Sequence, residues 1–288
     1  MQKDINRHFP KVLDLGANAC NIARALTQPA PPAGDDPDAP APPPLSSRFS
    51  HLTCADSSRE LLYRDTDLPF NSELDITRDH ILDEENPPYE PESFDAVLSS
   101  LSMHWVNDLP SCLTRINKIL KPDAPFIGVM FGGDTLFELR TSLQLAELER
   151  RGGLAPHVSP LADVRDIGGL LTRAGFKMLT VDVDDLVVEY PDMPSLMQDL
   201  QAMGESNAIL GRGQGASLSR DTMLAAEGIY HELHGDDASE PGRLPATFRM
   251  IYMIGWKEGA NQPQPLARGS GQTSLKDLLE KSKDLKEE

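Results

Sequence analysis

The chain has 288 residues, and its 45 acidic against 27 basic side chains give a net charge of -18. This charge argues against a nucleic-acid backbone or an anionic membrane surface as the main partner, because both would repel the protein. The length suffices for one large domain with appendages, and the three widely spaced cysteines form no Cys-x-x-Cys motif that would indicate a disulfide framework or a zinc site.

Membrane and targeting signals are absent from the printed sequence. No apolar run reaches the roughly 18 residues that cross a bilayer. The first residues show neither a signal peptide nor an Arg- and Ser-rich transit peptide. Because predicted strand one begins about a dozen residues into the chain, we expect any targeting segment or leading helix to be missing from this sequence.

Strand-like apolar runs alternate with helical patterns along the chain. The predicted strands are Val12–Leu15, Phe49–Ala55, Ala96–Leu101, Phe126–Phe131, Phe176–Val183, Leu186–Tyr190 and Thr247–Trp256. The predicted helices are Ile22–Leu26, Ser57–Arg64, Leu109–Leu120, Thr135–Arg151, Val164–Ala174, Pro194–Gly204 and Thr222–Leu233. This order predicts an α/β fold with a doubly wound, mostly parallel sheet. We interpret the segments 176–183 and 186–190 as an antiparallel pair. Together with the last strand, this pair predicts an antiparallel edge of the sheet.

The stretch 9–28 predicts a strand, a tight turn and a helix, the opening unit of a nucleotide-binding sheet. Asp14 interrupts the apolar run of the strand, and Gly16 permits the turn and the close approach of a cofactor to the backbone. Residues 16–21 read Gly-Ala-Asn-Ala-Cys-Asn instead of Gly-x-Gly-x-x-Gly, with Asn18 tolerating a positive φ. We predict a cofactor turn here, with a buried turn that binds nothing as the alternative.

Residues 28–47 contain eight of the 24 prolines, and we predict that they form a disordered surface insertion. Once the insertion is set aside, Asp56 follows the glycine turn by roughly 20 residues, the spacing of the acidic residue that accepts ribose hydroxyls. Asp56 therefore becomes a ribose-binding candidate. The alternative is that it caps the next helix together with Ser57 and Ser58.

His104 and Trp105 follow the apolar strand 96–101, at the carboxyl edge where open α/β sheets place their ligands. A packed aromatic corner is the alternative. We divide the chain into one domain at 1–257 and a polar tail at 258–288 that is dispensable for the fold. A charged helix is predicted within the tail, at Leu275–Lys286.

Several strings resemble known families. Val12–Gly16, Ser93–Asp95 and Leu120–Pro122 resemble the signature of class I S-adenosylmethionine-dependent methyltransferases, whose seven-stranded sheet is Rossmann-like. The chain further resembles the mitochondrial complex I assembly factors of methyltransferase type, which are arginine hydroxylases. The strings that carry this second resemblance are Ser99–Pro110, Met130–Leu136, Gly204–Asn207, Asp221–Ala226 and Tyr252–Lys257. The bacterial malonyl-carrier-protein methyltransferases are less alike.

The second resemblance implies a protein of the mitochondrial matrix, peripheral to the inner membrane, that hydroxylates an arginine on the quinone-proximal iron–sulfur subunit of complex I. A small cysteine-rich assembly factor is the partner that the family implies. The implied cofactor is S-adenosylmethionine. The glycine turn departs from the family pattern, and we expect the helix that precedes strand one in the family to be missing from this sequence.

If S-adenosylmethionine binds, Asp14, Gly16 and Asn18 are expected to receive its methionine end and Asp56 its ribose, with Ser57 a further predicted contact. Asp83 lies in the acidic connection before the strand 96–101, the place that follows the third strand of such a sheet, and would approach the adenine amine with Glu84 beside it. The remaining predicted cofactor contacts are Ser100, Leu101 and Trp105. The predicted catalytic residues are His104, Asp134 and Glu205.

Asp134 and Glu205 are singled out because a guanidinium stays protonated and prefers carboxylates. The alternative for Asp134 is that it caps the following helix. No metal site is predicted, because a non-haem iron centre needs two histidines and a carboxylate. The only His-x-Asp string, His234-Gly235-Asp236, lies in an acidic predicted loop and is not interpreted as a metal site, and neither is the pair His231 and His234, one helical turn apart.

Two other functions stay open. One is a methyltransferase acting on a small molecule or a carrier-protein thioester, which would yield a methylated product. The other is a non-catalytic assembly scaffold, which the altered glycine turn favours and the retained acidic residues Asp14, Asp56 and Asp83 oppose.

Overall fold

The computed structural model describes residues 7–29, 44–206, 218–235, 243–260 and 262–263. Most of the predicted insertion, at 30–43, lies outside these residues. So does the tail from residue 264, together with its predicted helix Leu275–Lys286. No helix within the described residues is long and apolar enough to span a membrane.

The described residues form seven strands and eight α-helices. The strands are β1 Phe9–Leu15, β2 Phe49–Asp56, β3 Ile76–His80, β4 Ala96–Ser100, β5 Pro125–Phe131, β6 Phe176–Tyr190 and β7 Leu244–Lys257. The helices are α1 Asn21–Thr27, α2 Arg59–Leu62, α3 Phe70–Glu73, α4 Leu109–Ile119, α5 Phe137–Arg151, α6 Val164–Arg173, α7 Met193–Met203 and α8 Arg220–His234. Two short 3₁₀ helices cover Leu45–Arg48 and Met103–Trp105.

The strands form one sheet in the order β3-β2-β1-β4-β5-β7-β6. The first five strands of this order run parallel, and β7 lies antiparallel between β5 and β6. The predicted doubly wound sheet with an antiparallel edge is confirmed. The order reverses at β1, so the loops after β1 and β4 diverge there and leave a crevice at their carboxyl ends.

The prediction of two antiparallel strands at 176–183 and 186–190 is wrong. These residues form the single strand β6, and its antiparallel partner is β7 along its whole length. Asp184 and Asp185 resemble a turn in the sequence but continue the strand opposite Met250 and Arg249. Acidic residues are tolerated there because β6 is an edge strand with one solvated face, and because Arg249 binds Asp185.

Apolar side chains cover both faces of the sheet. Leu113 and Ile116 of α4 and Ile167 of α6 pack on one side against Phe126. A separate layer made of α5, α7 and α8 packs on the antiparallel edge, where Tyr230 is fully buried and donates to the Pro245 carbonyl at 2.7 Å. This layer places the end of α7 opposite the carboxyl ends of the parallel strands.

Candidate functional site

A cleft of about 750 Å³ opens at the carboxyl edge of the parallel strands, between the crevice at β1 and the end of α7. This volume is within the usual range for small-molecule sites. All ten residues predicted to contact the cofactor line this one cleft: Asp14, Gly16, Asn18, Asp56, Ser57, Asp83, Glu84, Ser100, Leu101 and Trp105. Of the predicted catalytic residues, Glu205 lines it as well.

Gly16 forms the turn after β1 with a φ of +74°, a conformation that L side chains rarely adopt. A Cβ at this position would overlap the side chain of Ser102. The Ser102 hydroxyl lies 3.0 Å from that of Ser99 and donates to the Leu15 carbonyl at 3.4 Å. The glycine is therefore required by the packing of the β4 loop on the turn, a cause that the sequence pattern did not reveal.

Asp14 is the most unusual residue of the cleft. Its side chain is fully buried, and both carboxylate oxygens lack a hydrogen-bond partner among the described residues. Burial, with Cys20 and Asp56 adding repulsion, raises the pKa of Asp14 well above its usual range. An unpaired buried carboxylate is costly to the protein alone and is suited to a cationic ligand.

Asp56 ends β2, and its carboxylate binds the backbone of the glycine turn. One carboxylate oxygen accepts the Asn18 N–H at 2.7 Å, and the other accepts the Ser58 N–H at 2.8 Å. Asn18 can face Asp56 because its φ is +50°. Ser58, not Asp56, caps α2 through the Leu61 N–H. Each Asp56 oxygen keeps a lone pair for a hydroxyl donor.

Asp83 and Glu84 lie on the loop after β3. Glu84 accepts the Ser57 N–H at 2.8 Å and so joins this loop to the end of β2. The Asp83 carboxylate accepts from the Asn86 amide at 2.6 Å and from the Glu85 N–H at 2.8 Å. These bonds, that of Asn86 first, lower the pKa of Asp83. Asp83 therefore lines the cleft while its carboxylate closes its own loop.

Glu85 is a cleft residue that the sequence analysis missed. One of its carboxylate oxygens accepts both the backbone N–H of Asn107 at 2.6 Å and the Asn107 amide at 3.1 Å. Arg115 of α4 donates to the Glu85 carbonyl at 2.9 Å. Within the acidic run 83–85, nothing in the sequence distinguishes this residue from its neighbours.

The mouth of β4 supplies the apolar part of the cleft. Leu101 has a φ of +52° and donates its N–H to the Val129 carbonyl of β5 at 2.8 Å. This backbone conformation turns the chain sharply after Ser100. The Trp105 ring is 39% exposed at the same edge, so both side chains present apolar surface toward a bound ligand.

His104, Trp105 and Glu205 form one hydrogen-bonded group. His104 Nε2 lies 2.8 Å from Glu205 Oε1, and Trp105 Nε1 donates to the same oxygen at 3.3 Å. The His104 side chain is only 2% exposed, packs on Phe131 with ring centroids 4.9 Å apart, and is not among the cleft-lining residues. The structure thus joins two predicted catalytic residues and leaves Glu205 as the one that reaches the cleft.

The end of α7 determines where Glu205 lies. Gly204 has a φ of +85° and donates to the Gln201 carbonyl, and Glu205 donates its N–H to the Leu200 carbonyl at 2.8 Å. These two bonds form a Schellman motif, which ends a helix and redirects the chain. The Glu205 side chain is directed to His104 and Trp105 as a result, and remains 17% exposed.

Asp134 lies apart from this group, on the loop between β5 and α5. Its carboxylate pairs with Arg249, which also binds Asp185 through two bonds of 2.7 Å. Asp134 does not cap the next helix, because Leu136 occupies the N-cap position. It is absent from the residues that line the cleft. Its role in substrate binding stays a prediction.

A second pocket, of about 260 Å³, adjoins the cleft. It lies among α5, α7 and the loop 152–163, and its walls include Leu139, Leu143 and Phe248. Phe131 and Glu205 line both cavities. The pocket was not predicted from the sequence, because its walls come from segments that are distant along the chain.

No group of three or more His, Cys, Asp or Glu side chains suited to a metal ion occurs within the described part of the chain. Asp236, of the His-x-Asp string, lies outside it. His231 and His234 lie in the last turn of α8, and His234 contacts the Phe137 and Tyr230 rings edge-on.

Comparison with known sequences gives three matches. A family model described as a methyltransferase domain matches residues 40–128, which extend from the end of the predicted insertion through most of β5. The chain is 47% identical over 275 residues to "Arginine-hydroxylase NDUFAF5, mitochondrial" of Danio rerio, covering 96% of this chain and 77% of that protein. It is also 34% identical to a malonyl-[acyl-carrier protein] O-methyltransferase of Laribacter hongkongensis, covering 65% and 59%.

Among solved structures, the fold is similar to that of a candidate methyltransferase from Bacillus halodurans. The TM-score is 0.54 at 12% identity, covering 89% of this chain and 96% of the other. At this identity the likeness establishes the class I methyltransferase fold alone.

Proposed function

This chain belongs to the mitochondrial arginine-hydroxylase NDUFAF5 family, and we propose that it binds S-adenosylmethionine and hydroxylates an arginine side chain of a protein. The observation that carries the proposal is that ten residues predicted for the cofactor line one cleft, and that this cleft also holds Glu205. The methyltransferase fold does not by itself require that the protein transfers a methyl group.

The residues of the cleft fit S-adenosylmethionine. The unpaired, buried Asp14 carboxylate suits the ammonium of the methionine end, beside the Gly16 turn. The lone pairs that Asp56 retains suit ribose hydroxyls, and Leu101 with Trp105 offers apolar surface for the adenine. When bound, this cofactor supplies a sulfonium cation with an electrophilic methyl group.

Glu205 is the residue that we assign to the arginine. His104 and Trp105 both bind Oε1, and no hydrogen bond to Oε2 from another described residue is found. A guanidinium could donate to Oε2 and balance the negative charge of the carboxylate. We assign to His104 the role of orienting Glu205 without touching the substrate, because its side chain is buried and is not among the residues that line the cleft.

We assign the protein to the mitochondrial matrix, in peripheral association with the inner membrane. The name of the relative from Danio rerio, which includes the word mitochondrial, supports the organelle. The proposed substrate is the quinone-proximal iron–sulfur subunit of complex I, and the proposed partner is a small cysteine-rich assembly factor. A net charge of -18 is compatible with a basic partner surface around the arginine.

The direct test is mass spectrometry of the recombinant iron–sulfur subunit after incubation with the full chain, S-adenosylmethionine, oxygen and a mitochondrial extract that supplies reductant. We expect one arginine to gain a single oxygen atom from O2, while the other oxygen atom leaves as water on two electrons and two protons supplied through the extract, and we expect Glu205→Gln to abolish that gain. A matched variant, Glu60→Gln on the exposed face of α2, should retain it. An unmodified subunit, with confirmed binding of the cofactor, would contradict the hydroxylase assignment.

A methyltransferase acting on a small molecule or a carrier-protein thioester is the second candidate. It is favoured by the relative from Laribacter hongkongensis and by the apolar pocket beside the cleft, which could hold an acyl chain. A product that carries a methyl group instead of an added oxygen atom would favour this second function. A protein that neither binds the cofactor nor modifies a substrate would instead be an assembly scaffold.

A further inference from the structure

We propose that the second pocket receives the aliphatic stem of the substrate arginine and that Glu205, at its boundary with the cleft, receives the guanidinium. This inference rests on the proposed function and adds the route by which the side chain enters. The pocket would select side chains that combine a cationic end with an apolar stem, and it would reject a small free cation.

The walls of the pocket are suited to methylene groups. Leu139 and Leu143 of α5, Met197 and Leu200 of α7, and Phe248 of β7 contribute apolar side chains to the lining. Burying one methylene group in such surroundings is worth about 0.8 kcal/mol. A volume of about 260 Å³ has room for a three-methylene stem and is small for a cofactor.

The loop 152–163 contributes one wall of the pocket and is fixed by a buried pair. His157 Nε2 lies 2.7 Å from Glu147 Oε1, and the Ala155 N–H donates to Glu147 Oε2 at 2.6 Å. Because the Glu147 side chain is 1% exposed and both its oxygens are engaged, it is unavailable to a ligand. Among the described residues that line the pocket, Glu205 is therefore the carboxylate that can bind a cation.

The position of Glu205 connects the two cavities. Together with Phe131 it lines both the pocket and the cofactor cleft. A guanidinium on Glu205 would lie at this junction, with its stem in the pocket and the cleft in front of it. The same carboxylate oxygen accepts from His104 and Trp105, so the group is held before the substrate arrives.

The test is calorimetric titration of the full chain with guanidinium and its methyl, ethyl, propyl and pentyl derivatives. We expect the affinity to rise about fourfold for each methylene group up to propyl, which is 0.8 kcal/mol converted to a ratio. It should level off beyond that length. The matching alkylureas, which have the same shape without the charge, should bind at least tenfold more weakly than the alkylguanidines.

Substitutions in the lining of the pocket test where the alkyl chain and the guanidinium bind. Val158→Trp, which adds bulk to the pocket lining from the loop, should remove the dependence on chain length, whereas Val158→Ala should keep it. Met197→Trp on α7 serves as the second filling variant if the first fails to fold. Glu205→Gln should weaken every alkylguanidine tenfold or more while leaving the small affinity for alkylureas unchanged.

A flat affinity series, an unchanged series in the folded filling variants, or equal binding of ureas and guanidines would overturn the proposal. These titrations need neither cofactor nor turnover. A failure here therefore concerns the pocket alone, and a failure of cofactor binding or hydroxylation concerns the proposed function.

Discussion

Asp14 shows how a single residue can be arranged for a ligand instead of for stability. Its carboxylate is buried without a partner, and burial raises its pKa. A carboxyl group whose pKa is raised by folding is protonated in both states below about pH 3.8. As the pH rises above that value the unfolded chain ionises first, and the folded protein loses stability relative to it.

Asp14→Asn should therefore stabilise the ligand-free protein while weakening cofactor binding. We expect the free energy of unfolding at pH 8 to increase by about 1–3 kcal/mol, because the variant removes a buried charge. Urea unfolding across pH should show this gain disappearing near pH 4. Calorimetry should show that S-adenosylmethionine binds at least tenfold more weakly. A variant that is less stable at pH 8 would mean that Asp14 has a structural partner.

The convergence of the candidate cofactor residues on one cleft was predictable from the sequence, and their hydrogen bonds were not. Asp14 and Asp56 end strands of a parallel sheet, and strand ends meet at one edge whatever the other residues do. By contrast, the contact between Glu85 and Asn107 joins two loops, and no pattern in the acidic run indicates it. Gly16 was predicted correctly as a turn glycine, but the Ser102 side chain against it comes from a loop far along the chain.

At the scale of elements, the end of α7 connects a backbone motif to the proposed substrate contact. Gly204 must adopt a positive φ for the Schellman motif to form, and this motif places Glu205 against His104 and Trp105. The sequence pattern placed a helix at 194–204 ending in a polar cap. It could not show that this cap lies opposite β4, because that depends on how the α5–α7–α8 layer packs.

Gly204→Ala should lower the free energy of unfolding by about 1 kcal/mol, since a left-handed residue with a Cβ costs about 1–2 kcal/mol. It should also weaken alkylguanidine binding several-fold by displacing Glu205, with little effect on cofactor affinity. The control is Gly228→Ala within α8, where a Cβ meets no atom within 4 Å. That control should stabilise the protein by about 0.5–1 kcal/mol. Equal effects of both variants would contradict the role of the helix end.

Arg249 connects three elements at the antiparallel edge. It pairs with Asp134 before α5 and with Asp185 of β6, and its backbone N–H donates to the Thr135 hydroxyl at 3.1 Å. The hydrogen bonds that Arg249 donates to the Asp185 carboxylate are the main cause that raises the pKa of Arg249. The pairs join residues more than sixty positions apart, and for that reason they could not be predicted from the sequence, which indicated a turn at 184–185.

Arg249→Met should cost about 1 kcal/mol of unfolding free energy, because the pairs are partly exposed and solvent screens them. The midpoint of urea unfolding measures this loss. Cofactor affinity should not change, since none of these residues lines the cleft. If arginine-substrate turnover falls while stability and cofactor binding are retained, Asp134 takes part in substrate binding after all, as the sequence analysis predicted.

At the scale of the whole molecule, the excess of acidic residues should act on association more than on the bound state. A basic substrate surface is attracted over distances comparable to the Debye length, which shortens from about 30 Å at 0.01 M salt to about 10 Å at 0.1 M. The net charge of -18 is large enough to attract a basic substrate over this distance as it approaches the protein.

The association rate with an arginine-containing basic peptide should therefore fall about tenfold or more between these two salt concentrations. The dissociation rate should change much less. Stopped-flow fluorescence of Trp105, at the edge of the cleft, can follow both rates. An acidic peptide with the same arginine should show the opposite salt dependence, and equal behaviour of the two peptides would exclude steering by the overall charge.

We infer that the cleft at the carboxyl edge of the sheet is a working S-adenosylmethionine site despite its altered glycine turn. Calorimetric titration of the full chain with S-adenosylmethionine tests it most directly. We expect micromolar or tighter binding, about -8 kcal/mol or better, together with a loss of at least tenfold in Asp56→Asn but not in Asp75→Asn, an exposed position before β3. Absence of binding to the folded wild-type chain, or equal affinity in all three proteins, would contradict the account.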